Sequence, residues 1–261
     1  MNRIDKAFER LREENKKALI TFITAGYPSL DYTERLVYTL EKNGADIIEI
    51  GIPYSDPMAD GPLIQMSSQQ ALKNGLKIKD VMNTVKNIRK NSQAAIVYML
   101  YYNNIYKYGM EKFIKDCSEA QIDGLIVPDL PLEEREGLER LSNLKGIHLI
   151  PLVAPTSQSR IEEIAKNARG FVYCVSVSGV TGVRNNISTD IENYMKEVER
   201  STKTPKAIGF GISNKEMAEK YKTYCDGVII GSAIIKIISE NTGEDILNKV
   251  GEFAWEIKEV L

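Results

Sequence analysis

Eight short apolar runs with β character recur along the chain, at residues 18–24, 47–52, 95–100, 124–127, 147–152, 171–175, 207–210 and 227–230. Each is mainly apolar rather than alternating, broken by Glu49 in the second run and His148 in the fifth, which suits strands buried on both faces of a parallel sheet. Helical patterns fill the spaces between them. Leu36, Val37 and Leu40 share one face, as do Phe113, Ile114 and Cys117, Ile161, Ile164 and Ala165, Ile191, Met195 and Val198, and Met217 and Tyr221. The stretch Ser213-x-x-Glu216 reads as a capping box for the last of these. Ile4, Phe8 and Leu11 predict an additional N-terminal helix over 2–14, and Ile246, Val250, Phe253, Ile257 and Leu261 a closing one. Eight alternating units predict a single (β/α)8 TIM barrel spanning residues 1–261, since such barrels run to about 250 residues as one unit. A doubly wound open sheet is the alternative, and it lacks a dinucleotide fingerprint here.

Two intervals are longer than a βα unit needs. They begin after the second and sixth runs, at 52–62 and 176–189, and predict long loops on the face where barrels carry their chemistry. Composition narrows the function. A net charge of −2 argues against nucleic acid. Nothing resembles a membrane span, and the charged N-terminal helix is no signal peptide. Cys117, Cys174 and Cys225 are scattered and odd in number, which predicts reduced, buried thiols in a cytoplasm. His148 is the single histidine, so the usual zinc sites cannot be built and no metal is expected.

The stretch 46–65, D-I-I-E-I-G-I-P-Y-S-D-P-M-A-D-G-P-L-I-Q, concentrates the candidate chemistry. Glu49 interrupts an apolar strand near its carboxyl end, where a lone carboxylate either finds a partner or stays protonated. Asp56 and Asp60 follow on the loop, where turn or cap roles compete with catalytic ones. Gly179-Val-Thr-Gly182, Gly209-Phe-Gly211 and Gly231-Ser232 follow the last three strands, and Ser232 opens a short helix. Backbone amides at such turns suit a phosphate. No strand ends in a lysine, so a Schiff-base aldolase is disfavoured. Two carboxyl groups suffice to cleave a carbon–carbon bond if the substrate is its own electron sink, as an indole protonated at C3 is.

The stretch 47–65 resembles the signature of the tryptophan synthase α subunit family. So do T-F-I-T-A-G-Y-P, L-Y-Y-N, V-P-D-L-P and the three glycine turns, and together they span essentially the whole chain. The resemblance implies retro-aldol cleavage of indole-3-glycerol phosphate to indole and glyceraldehyde 3-phosphate, in L-tryptophan biosynthesis. It implies Glu49 and Asp60 as the catalytic pair. Substrate contacts would come from Phe22, Tyr101, Tyr173, Thr181, Gly182, Phe210, Gly211, Gly231 and Ser232. Pro53, Asp56 and Asn103 match positions facing a β subunit, in an expected αββα assembly whose pyridoxal phosphate sits in β, with no cofactor in this chain. The alternatives are a non-catalytic activator and another phosphate-binding barrel, an isomerase or lyase.

Overall fold

A computed structural model describes residues 1–175, 187–209 and 211–261 of the chain. Nine parallel strand segments lie among them: β1 (Ala18–Thr24), β2 (Ile47–Gly51), β3 (Ala95–Met99), β4 (Gly124–Ile126), β5 (His148–Ile150), β6 (Leu152–Val153), β7 (Val172–Val175), β8 (Lys206–Gly209) and β9 (Gly227–Ile230). Their order in the sheet is β5-β4-β3-β2-β1-β9-β8-β7-β6. The two outermost segments, β5 and β6, are consecutive in the chain and separated only by Pro151.

That proline explains why eight expected strands become nine segments. It has no N–H to give to a ladder. Its carbonyl still accepts from Tyr173 N–H at 2.9 Å, so the fifth strand passes from pairing with β4 to pairing with β7. The sheet therefore closes on itself through a kinked strand, and the TIM-barrel reading holds.

Two local expectations are revised. Residues 52–61 form the loop expected after β2, but the rest of that interval folds into two helices the pattern does not announce, Pro62–Lys73 and Ile78–Ile88. The first is rich in Gln and Ser, which hides its period. The helix expected to start at Ser213 is Lys215–Tyr221, capped instead by Asn214, whose side chain accepts from Met217 N–H at 2.9 Å. Most of the second long interval, 176–186, lies outside the described residues, and helix Ile187–Ser201 follows it.

The N-terminal helix, Arg3–Glu13, plugs the end of the barrel where the strands begin. Fully buried Ile4 lies against Gly124 and Gly170, two positions where a side chain would collide with it or its neighbours. Asp5 and His148 meet across this end, with Nε2 3.0 Å from both carboxylate oxygens. His148 thus lies at the opposite end of the barrel from the strands' carboxyl termini. Asp46, just before β2, accepts from Arg10, from Lys258 at 2.6 Å and from Leu19 N–H at 2.9 Å, fastening the first and last helices to one point.

Candidate active site

At the carboxyl ends of the strands, β1, β2 and β3 set Phe22, Glu49 and Val97 in register, one layer of the barrel. Glu49 is 1% exposed, and neither carboxylate oxygen has a hydrogen-bond partner among the described residues. Burial strips the carboxyl of solvent and no described group replaces it, so the charged form is disfavoured. Burial first, and the nearby Asp60 charge second, push the Glu49 carboxyl up to about 8.

Asp60 sits half-buried on the loop after β2. Its own carboxyl is also raised, chiefly by burial, while the Tyr101 hydroxyl beside it favours the charged form and works the other way. The two acids differ as the sequence suggests, a strand acid more sealed than a loop acid, although Asp60 is more sheltered than a solvent-open loop residue. Its backbone is held too: Gln65 Nε2 donates to the Asp60 carbonyl at 2.8 Å, and Ala59 N–H donates to the Tyr101 hydroxyl at 2.9 Å.

Aromatic walls stand around this pair. Phe22, Tyr101 and Tyr173 are all buried. The Phe22 ring lies across Gly51 and the Tyr173 hydroxyl across Gly209, and a Cβ at either glycine would come within 2.4 Å and 2.5 Å of those rings. Burial and the Glu49 and Asp60 charges, in that order, raise the Tyr173 hydroxyl far above its usual range, so it stays protonated. Tyr54 stacks on Tyr101 with centroids 4.9 Å apart, and Asn103 Nδ2 donates to the Tyr54 hydroxyl at 3.1 Å. Neither Tyr54 nor Gln65 stands out in the sequence; the only signal is their place on the motif.

On the far side, Gly231 caps helix Ser232–Glu240 and Gly211 adopts φ +81, a conformation that glycine takes without strain. Ser232 is exposed at the first turn of that helix, where free N–H groups and the helix dipole favour an anion. Thr181, Gly182 and Phe210, also expected at the substrate, lie outside the described residues. Of the three positions expected to face a partner, Asp56 is exposed and Asn103 half-buried, whereas Pro53 is buried within this chain. Among the described residues no three His, Cys, Asp or Glu side chains converge to hold a metal ion.

The chain is a barrel of the kind that gathers its chemistry at the carboxyl ends of its strands. Its sequence matches the tryptophan synthase alpha chain family over residues 8–260, and it belongs to that family. It is 57% identical to the tryptophan synthase alpha chain of Clostridium kluyveri over 262 aligned residues, covering 100% of both chains. Tryptophan synthase subunit alpha from Legionella pneumophila superposes with a TM-score of 0.91 at 36% identity, covering 100% of this chain and 98% of that one. A chain of tryptophan synthase from M. tuberculosis, crystallised in an open form, superposes with a TM-score of 0.89 at 30% identity over 100% and 98% of the two chains. The reaction of the family is the carbon–carbon lyase step of tryptophan biosynthesis, cleavage of indole-3-glycerol phosphate.

Proposed function

We propose that Glu49 and Asp60 divide the proton transfers of this cleavage between them. The observation that carries the reading is the buried, unpartnered Glu49 carboxyl, raised to about 8 and so largely protonated at neutral pH. It gives its proton to C3 of the indole ring while Asp60 accepts the N–H proton. The carboxylate left on Glu49 then takes the proton of the glycerol hydroxyl next to the ring. The bond from C3 to the glycerol carbon breaks, its electrons return to the ring as Asp60 gives its proton back to the ring nitrogen, and indole and glyceraldehyde 3-phosphate separate. Phe22, Tyr101 and Tyr173 wall the ring, and Tyr101 steadies the Asp60 segment. The phosphate rests against Gly211, Gly231 and Ser232, with Thr181, Gly182 and Phe210 completing the contacts from outside the described residues.

This chemistry is carried by side chains of the chain itself. Pyridoxal phosphate belongs to a β subunit, to which we assign the released indole. The likeness to the M. tuberculosis tryptophan synthase supports that partnership. So does the loop carrying Asp56 and Met58, which leaves Met58 89% exposed immediately after the catalytic strand. We place the chain in the cytoplasm as one domain. Three buried free thiols suit a reducing compartment, and among the described residues no helix is long and apolar enough to cross a membrane.

Indole release from indole-3-glycerol phosphate tests the reading, measured for the wild type and Glu49→Gln with and without a β subunit. Activity that β raises and the substitution abolishes is expected. A Glu49→Gln enzyme working at the wild-type rate would move the chemistry elsewhere in the barrel.

A further inference from the structure

Between the loop after β4 and strands β5 and β6 lies a cavity of about 380 Å³ to which β2 contributes no residue. That is large enough for a small ligand. Arg135 reaches it from the junction between the turn Leu132–Glu134 and helix Glu136–Leu144. The side chain is 9% exposed, its Nη2 donates to the Leu149 carbonyl at 2.9 Å, and its Nε is buried without an acceptor. No carboxylate comes within ion-pairing distance among the described residues; the acid that acts on it is Glu139, one turn along the helix. A buried carboxyl such as Glu49 can escape its cost by keeping a proton. A guanidinium cannot shed one, so a buried unpaired arginine calls for an anion from outside.

The surroundings specify what carries that anion. Leu130, Leu132, Leu152 and Ile164 line the cavity half-buried, offering apolar surface that water now meets. Arg160 adds a second cation at the wall, held by Glu133 at 2.6 Å. The one acid among the described lining residues, Asp129, already spends both oxygens on Tyr102 N–H, at 2.8 and 3.1 Å. The geometry points to a binding site for a small amphipathic carboxylate, its charged end on the Arg135 guanidinium and its apolar body among these leucines. The guanidinium fork suits a carboxylate's two oxygens. The site stands independently of the roles given to Glu49 and Asp60.

Titration with 4-methylpentanoate tests this, followed by calorimetry and by the ¹⁵Nε–¹H resonance of Arg135. Saturable binding of one equivalent that moves this resonance is expected, and it persists when indole-3-glycerol phosphate fills the barrel. The neutral 4-methylpentanamide should bind wild type at least tenfold more weakly, and Arg135→Met should weaken 4-methylpentanoate to the same degree. The resonance and the amide comparison need only the wild type, so they decide the matter even if the Met variant does not fold. An unmoved resonance, equal affinity for acid and amide, or undiminished binding by a folded Arg135→Met would overturn the proposal. Inorganic phosphate moving the resonance as strongly as 4-methylpentanoate would also overturn it, since the apolar body would then contribute nothing.

Discussion

Glu49 shows what a single buried carboxyl does to both activity and stability. Its pKa is about 8 in the folded chain against 4.5 for the free group, so the fold binds a proton that the unfolded chain releases. An acid raised in this way leaves stability untouched below pH 4.5 and drains it as pH climbs toward 8. Glu49→Gln should therefore unfold at the same urea concentration as wild type near pH 5. At pH 9 it should be more stable by on the order of a few kcal/mol. Equal midpoints at both pH values would mean that Glu49 is solvated in solution. Activity should fall as pH rises through about 8, because the first step needs the protonated acid. Asp60→Asn should lower kcat by about 10²-fold or more while KM changes little, the pattern of a group acting in the transition state. A large KM change with kcat intact would make Asp60 a binding residue.

Among the elements, the N-terminal helix matters most for the barrel's floor. Truncating Ile4 to Ala would empty a fully enclosed position between Gly124 and Gly170, and should cost about 2–4 kcal/mol in chemical denaturation. An unchanged midpoint would show that the helix does not seat there in solution. How much of this was readable in advance depends on what each element reveals locally. Ile4, Phe8 and Leu11 announce the helix by their spacing, and Glu49 announces itself as the one charge in an apolar run. Pro151 gives no such signal, because the apolar run continues through it and only the ring's closure requires a kink. The two helices after β2 have a faint local signal, because Gln and Ser dilute the apolar face of the first. Their register emerges only when Ser67 and Ser68 turn out buried, with Ser67 Oγ 2.7 Å from Thr24 Oγ1. Arg135 sits in L-E-E-R-E-G, which reads as a solvated charge run, and nothing local says that its guanidinium turns inward.

The molecule as a whole is held shut at Asp46, whose side chain is 4% exposed and joins residues 36 positions before it and 212 after it. Asp46→Ala would leave the Leu19 N–H without its acceptor and Lys258 with the Lys17 carbonyl but no counter-charge, and should destabilise the chain by about 2–4 kcal/mol, read from urea midpoints. The substitution lies at the end of the barrel away from Glu49, so kcat at 20 °C or so should be near wild type. A loss of activity without loss of stability would show that the two ends of the barrel communicate.

The same arrangement sets an order on how the chain can mature as it is made. The helix Arg3–Glu13 has no seat until Gly124 and Gly170 have been made, and the Asp46 clamp lacks Lys258 until 212 further residues have followed it. This helix therefore settles only after the strands that seat it have been made. During that interval the apolar face of Ile4, Phe8 and Leu11 stands open to chaperones, and a chain lacking the helix Glu244–Lys258 would leave Asp46 without one of the two cations that hold it.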